Sequence, residues 1–206
     1  MAHGGWEGAA GMRVMVILAH PNQSSFNAAL VSALVAGLEE AGHEPDVADL
    51  CAEGFNPVMA ANELETLGTG DSLEDVRSYQ KRLLAAQGLA FVFPVWWFGL
   101  PAVLKGFVDR VFQENFAFRF GPGGMPEGLL PAHKALVLNT AGTGPRLYKT
   151  FGFGKPMVKT FDEWTLKVCG LRHVRRVTFH EVVTCADEVR RGYLDEARQL
   201  GREFFS

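Results

Sequence analysis

The chain lacks most of what marks a secreted, metal-bound or nucleic-acid-binding protein. Its 206 residues hold only three cysteines, Cys51, Cys169 and Cys185. An odd number with no C-x-x-C pair excludes a disulfide framework and argues against a zinc ribbon, so no metal site is expected. Free thiols suit a reducing, cytoplasmic setting. Charge of neither sign prevails, with 20 Lys and Arg against 23 Asp and Glu and a net charge of −3. No basic surplus exists to neutralise a run of phosphates, which sets nucleic acid aside as the main partner. The uncharged run Leu83–Leu104 is long enough for a membrane span, but Gly88, Pro94, Gly99 and Pro101 cut it into short pieces, so no span is expected. The catalytic signatures of several large classes are missing too. Gly154-Lys155 is followed by Pro156 and makes no P-loop. Gly142-Thr143-Gly144 runs on to Leu147 and makes no dinucleotide fingerprint. No G-x-S-x-G elbow occurs, and His180-Glu181 lacks the second histidine of a zincin. Any chemistry must come from a bound group or from residues outside these patterns.

What is present reads as one globular domain. Hydrophobic residues make up 48% and charged residues 21% of the chain, ordinary usage for a packed core. Residues 1–12 are rich in Gly and Ala, lack the apolar segment of a signal peptide and read as a flexible extension before a domain over 13–206. Short apolar runs at Arg13–Ala19, Leu89–Phe93 and Ala135–Thr140 fit strands buried on both faces, and Glu44–Leu50 and Val174–Val183 fit two weaker strands. Between them Asn27–Ala41, Ser72–Ala86, Pro101–Phe112, Val158–Val168 and Ala186–Phe205 carry helical spacing, with Ser72 as a candidate cap. Cys51–Asp71 and the glycine-rich Ala141–Pro156 read as loops, and Phe116–Pro131 as a loop or small hairpin. Five alternations of strand and helix predict an α/β fold: a doubly wound five-stranded parallel sheet with helices on both faces. Ligands of such sheets sit beyond the carboxyl ends of the strands.

Three loops therefore matter. The first, His20-Pro21-Asn22-Gln23-Ser24-Ser25-Phe26-Asn27, brings two hydroxyls and unpaired N–H groups to a helix N-terminus. That suits a phosphate, and it equally suits a simple serine N-cap. The second, Phe93-Pro94-Val95-Trp96-Trp97-Phe98-Gly99-Leu100-Pro101, has three adjacent aromatics whose side chains diverge and cannot all enter a core. Some should line a cleft where a flat heterocycle can lie, the alternative being a subunit interface. The third, Asn139-Thr140-Ala141-Gly142-Thr143-Gly144, is small enough for backbone N–H groups to approach a ligand edge closely. Lys105 and Asp109 stand i,i+4 and predict a surface ion pair. His3, His43 and His173 read as surface residues.

The segments His20-Pro21, Ser24-Ser25-Phe26-Asn27, Pro94 through Gly106, and Asp109-Arg110-Val111-Phe112 together resemble the NAD(P)H:quinone oxidoreductases of the flavodoxin-like fold. The bacterial potassium-efflux ancillary proteins and drug-activity modulators are similar. The resemblance runs from about Met15 to Phe205. It implies a bound flavin, FAD with FMN as the alternative, and NAD(P)H as co-substrate. His20, Ser24, Phe26 and Asn27 would hold its phosphate part. Pro94, Val95, Trp97 and Phe98 would surround the ring. Asn139, Thr140, Ala141 and Gly142 would follow its polar edge, with Tyr148 near the ring carbonyl side as the catalytic residue. In the mammalian quinone reductases a tyrosine and a histidine near this loop assist the charge change. Tyr148 matches the first; the second falls near Gly154, and no histidine stands between His133 and His173. The implied activity is ping-pong hydride transfer from NAD(P)H to quinones or similar small acceptors, in a homodimer. A flavin-bound ancillary subunit of a membrane transporter is the alternative, and a one-electron carrier the third reading.

Overall fold

The structure, a computed structural model, describes residues 11–69 and 71–206. Residues 1–10, which hold His3 and most of the expected extension, lie outside the described residues, as does Gly70. Met12 is already tied down: its carbonyl accepts from Glu44 N–H at 2.9 Å and its N–H donates to His43 Nδ1 at 3.1 Å.

The chain runs through β1 (Arg13–Leu18), α1 (Phe26–Glu40), β2 (Glu44–Asp49), α2 (Ala61–Thr66), α3 (Glu74–Ala85), β3 (Gly88–Pro94) and α4 (Ala102–Val111). It continues through a hairpin of β4 (Phe118–Phe120) and β5 (Pro126–Gly128), then β6 (Lys134–Ala141), α5 (Pro145–Phe151), α6 (Gly154–Met157), a π-helical segment Val158–Leu166, β7 (His173–His180) and α7 (Asp187–Glu203). The five long strands are parallel and lie in the order β2-β1-β3-β6-β7. The chain leaves β1 to one side for β2 and returns to the other for β3, so the order reverses between β1 and β3. This is the doubly wound sheet that the strand–helix alternation predicts.

The apolar runs explain the layers. Side chains alternate across a strand, so every other residue faces each side. Met15, Ile17, Leu89, Phe91, Phe93 and Val137 pack with α3, α4 and the π-helical segment. Val14, Val16, Ala90, Val92, Leu136 and Leu138 pack with α1 and α7 on the other side. The two helices of that second layer meet closely. A Cβ at Gly37 would stand 2.0 Å from the Arg198 carbonyl oxygen, and one at Gly201 would stand 2.4 Å from that of Leu34.

Several expectations need correction. The stretch Cys51–Asp71 is not wholly irregular, since α2 forms within it. Its start is held by Glu63, whose carboxylate accepts from Ala60 N–H at 2.7 Å. Ser72 is no cap: it is buried, and its hydroxyl donates to Gln113 Oε1 at 2.9 Å, while the helix begins after Leu73. Ala141–Pro156 is helical in two short pieces. Pro145 suits the first turn of α5, and Gly152, at φ +66°, ends that helix in the left-handed conformation. The glycines there are punctuation between turns and do not make a loop. His43 is half-buried, and burial lowers its pKa, with Lys134 adding to the effect. Among the described residues no helix is long and apolar enough to cross a membrane.

Candidate active site

The reversal between β1 and β3 brings the three singled-out loops to one end of the sheet. Backbone bonds fix their mutual position. Ala19 N–H donates to Val92 O at 3.0 Å, and Val95 N–H donates to Thr140 O at 2.8 Å.

The first loop is built by its own side chains. Asn22 Oδ1 accepts from Ser24 N–H at 2.8 Å, and Asn22 N–H donates to His20 Nδ1 at 3.0 Å. Ser25 caps α1, its hydroxyl accepting from Ala28 N–H at 3.2 Å. The serine N-cap is therefore real, and it leaves the first-turn N–H groups of Phe26 and Asn27 without intrahelical acceptors. Asn27 is buried and donates from Nδ2 to Thr140 Oγ1 at 3.1 Å, joining this loop to the end of β6.

The second loop makes a two-residue turn. Trp96 and Gly99 pair through both backbone bonds, at 3.3 and 3.0 Å, around Trp97 at φ 48° and Phe98 at φ 60°. Two consecutive left-handed non-glycine residues form the primed turn that normally takes Asn-Gly, and strain of this kind clusters at functional sites. The turn holds Trp97 95% exposed, as the divergence of the three aromatics requires. Phe98 lies on Phe153 with ring centroids 4.1 Å apart.

In the third loop, neighbours on β6 face opposite ways. Thr140 meets Asn27, whereas Asn139 Oδ1 accepts from Arg176 at 2.6 Å and from Thr178 at 3.1 Å on the other side of the sheet. Tyr148, on α5, is partly buried, and its hydroxyl has no hydrogen-bond partner. Burial pushes its pKa above the ordinary tyrosine range, opposed by the charge of Arg176. The His180 ring packs edge-on to it with centroids 5.1 Å apart. A Cβ at Gly154 would stand 2.8 Å from Tyr148 Cε1, so the tyrosine ring fills the place of any side chain at 154.

Two cavities open where the loops meet. One of about 280 Å³ is lined by His20, Phe26, Asn27, Pro94, Val95, Thr140 and Gly142, with Trp96, Val182 and Val183. The other, about 170 Å³, is lined by Val95, Trp97, Phe98, Ala141, Gly142, Thr143 and Tyr148. Val95 and Gly142 border both, so the two adjoin and together make one recess. Of the residues singled out in the sequence, Ser24 and Asn139 line neither cavity. Ser24 stays at the loop tip, and Asn139 turns its side chain away. The sequence reading also missed Val182, Val183 and His180, which arrive from the end of β7. The rule that places ligands at strand ends points to that loop as well.

The residues fit a group with an anionic tail and a planar, polar-edged ring. Free N–H groups at the start of α1 suit the tail, the aromatic turn and Val95 suit the ring faces, and the unpartnered Tyr148 hydroxyl suits a carbonyl at its edge.

A sequence model described as flavodoxin-like fold matches residues 12–200. An uncharacterized NAD(P)H oxidoreductase of Haemophilus influenzae is 30% identical over 189 residues, covering 91% of this chain and 93% of that protein. NAD(P)H dehydrogenase [quinone] 1 of Rattus norvegicus is 31% identical over 180 residues, 78% of this chain and 65% of the rat protein. Among solved structures, an NAD(P)H:quinone oxidoreductase from Methanothermobacter marburgensis superposes with a TM-score of 0.87 at 30% identity, covering 95% of this chain and 100% of that one. Sheet order, loop convergence and these matches agree, and the chain belongs to the flavodoxin-like family of NAD(P)H oxidoreductases and quinone reductases.

Proposed function

We propose that the chain binds a flavin in the recess between the β1, β3 and β6 loops and uses it to carry a hydride from NAD(P)H to quinones or similar small acceptors. The observation that carries this reading is the single recess, shared through Val95 and Gly142, with a phosphate-ready helix start at one end and an unpartnered tyrosine hydroxyl at the other. FAD is the expected flavin and FMN the alternative. Bound there, the flavin supplies the centre that takes up and gives back the hydride.

The chain's own residues bind and orient. His20 and the N–H groups of Phe26 and Asn27 would hold the phosphate. Pro94, Val95, Trp97 and Phe98 would confine the ring, and NAD(P)H and the acceptor would use one site in turn. The backbone N–H groups of Gly142 and Thr143, just past the end of β6, would meet the polar edge. Tyr148 donates its hydroxyl proton as a hydrogen bond to a ring carbonyl, and its raised pKa keeps that proton in place at neutral pH. The exposed Trp97, Phe98 and Phe151 suit the interface of a homodimer.

The test is purification followed by visible absorbance, flavin titration and mass spectrometry of whatever denaturation releases. NAD(P)H oxidation with a soluble quinone should give parallel-line initial-rate kinetics. Protein that neither carries nor takes up flavin overturns the reading. Tyr148→Phe should lower kcat about 10²-fold while flavin content stays the same.

A further inference from the structure

A cavity of about 520 Å³ stands beside the recess described above. It shares only the Tyr148 wall with it. Its floor is one face of β7, where Arg176, Thr178 and His180 alternate into it, and its far wall is formed by α6 and the π-helical segment. Most of the lining is apolar, with Pro145, Met157, Val158 and the Tyr148 ring offering flat or pliant surface. A cavity of this size with few polar groups is what small organic ligands occupy.

The polar groups narrow the ligand class because most are already engaged. Arg176 is held by Asp162 at 2.7 and 2.5 Å and by Asn139 at 2.6 Å. Thr178 donates to Asn139 at 3.1 Å. Lys159 pairs with Glu163 at 3.8 Å. Three groups are left. Lys149 and Lys155 line the cavity without a carboxylate partner among the described residues. His180 Nδ1 lies 2.9 Å from the Thr143 carbonyl, which can only accept, so Nδ1 donates there and Nε2 is left to meet a ligand. Glu181 lies against Gly144 and does not line the cavity.

We propose that this cavity binds a planar hydroxyaryl acid. Its carboxylate sits on Lys149 and Lys155, its ring lies against the Tyr148 ring, Met157 and Val158, and its hydroxyl donates to His180 Nε2. The site is distinct from the flavin recess. The Tyr148 ring is the wall that the two share.

The experiment is isothermal titration calorimetry of the full chain, with the flavin it carries, against 6-hydroxy-2-naphthoate and its neutral counterpart 2-naphthol. The naphthoate should bind at least about 10-fold more tightly at low ionic strength, with the advantage shrinking as salt rises. The double variant Lys149→Gln/Lys155→Gln should remove the advantage while leaving 2-naphthol affinity, flavin content and melting midpoint unchanged. Equal affinity for the two probes, or an advantage that survives in the double variant, overturns the proposal. The heat of binding needs no turnover, so this outcome is independent of whether quinones are reduced.

Discussion

Two arginines lock two corners of the sheet, and they do so in different surroundings. Arg110 on α4 is 2% exposed and meets Glu63, also 2% exposed, with its Nε 2.8 and 3.0 Å from the carboxylate oxygens. It also reaches Asp75 at 2.8 Å and the Asn56 carbonyl at 2.6 Å, and it lies over the Phe55 ring at 5.3 Å. Arg176 on β7 grips Asp162 in the same two-pronged way and lies over Phe93 at 5.7 Å, but its side chain is 11% exposed and fronts the large cavity. The first corner is closed, with every prong answered by protein. The second is open on one side. A closed ion pair fastens one element to another, whereas an open one also shapes a cavity wall. The sheet end that carries the candidate chemistry lies next to the open corner.

Removing each arginine in turn tests the contrast. Arg110→Met leaves the Glu63 carboxylate buried without its counter-charge, and such half-broken pairs cost about 3–5 kcal/mol. For a chain of this size that lowers the melting midpoint by roughly 10 °C or more. Adding Glu63→Leu should recover most of the loss, short of the roughly 1 kcal/mol that Glu63 contributes by holding Ala60 N–H. Arg176→Met should cost less, about 2 kcal/mol, because water entering the cavity can reach Asp162. Urea denaturation of the three variants checks the order. If Arg176→Met proved the costlier, the open corner would not be open.

A thiol between the corners sharpens the point. Cys169 closes the π-helical segment and borders the groove between that segment and α4. Burial pushes its pKa up to about 12 from an ordinary 9.0. The folded state thus keeps a proton that the unfolded chain releases. Stability is intact below the unfolded value of about 9 and is lost as pH rises toward about 12. At a slope of about 1.4 kcal/mol per pH unit for one proton, the loss reaches about 3 kcal/mol by roughly pH 11. Cys169→Ala should flatten that alkaline limb in a denaturation series run from neutral to high pH.

The closed corner and the open one also differ in how much of each a sequence can show. Strands β1, β3 and β6 are uninterrupted apolar runs, so their places and the order of layers are readable. The three loops are contiguous stretches, so the recess is readable as well. Asn139 and Thr140 illustrate a local limit: as neighbours on a strand they must face opposite sides, and only Thr140 meets the recess. The alternation rule contains that answer. Neither corner is legible in the same sense, because each joins distant segments. Arg110 meets Glu63 from a six-residue helix too short to show a period, inside a stretch that reads as loop. Tyr148 meets His180 only because Pro145 and Gly152 turn a glycine-rich stretch into a helix, which brings the tyrosine to the end of β7.

The smallest expected effect supplies the baseline for the arginine contrast. Lys105 and Asp109 form the i,i+4 pair that their spacing predicts, with Nζ 2.5 and 2.7 Å from the two carboxylate oxygens. Those distances are shorter than the 2.8 and 3.0 Å at Arg110, so geometry alone would rank the Lys105–Asp109 pair at least as strong. Exposure separates them: the Lys105 and Asp109 side chains are 60% and 44% exposed. Each charge keeps most of its hydration when the partner is lost, and bulk water with its ions screens the attraction. Asp109→Ala should therefore cost only about 0.3–0.5 kcal/mol, and less in high salt. Arg110→Met should remain costly at any ionic strength, because salt cannot reach the carboxylate that it strands. A salt series on both variants separates distance from burial as the cause: the Asp109→Ala effect should fade as salt rises and the Arg110→Met effect should persist. If both fade together, Glu63 is reached by solvent and the corner around it is not closed.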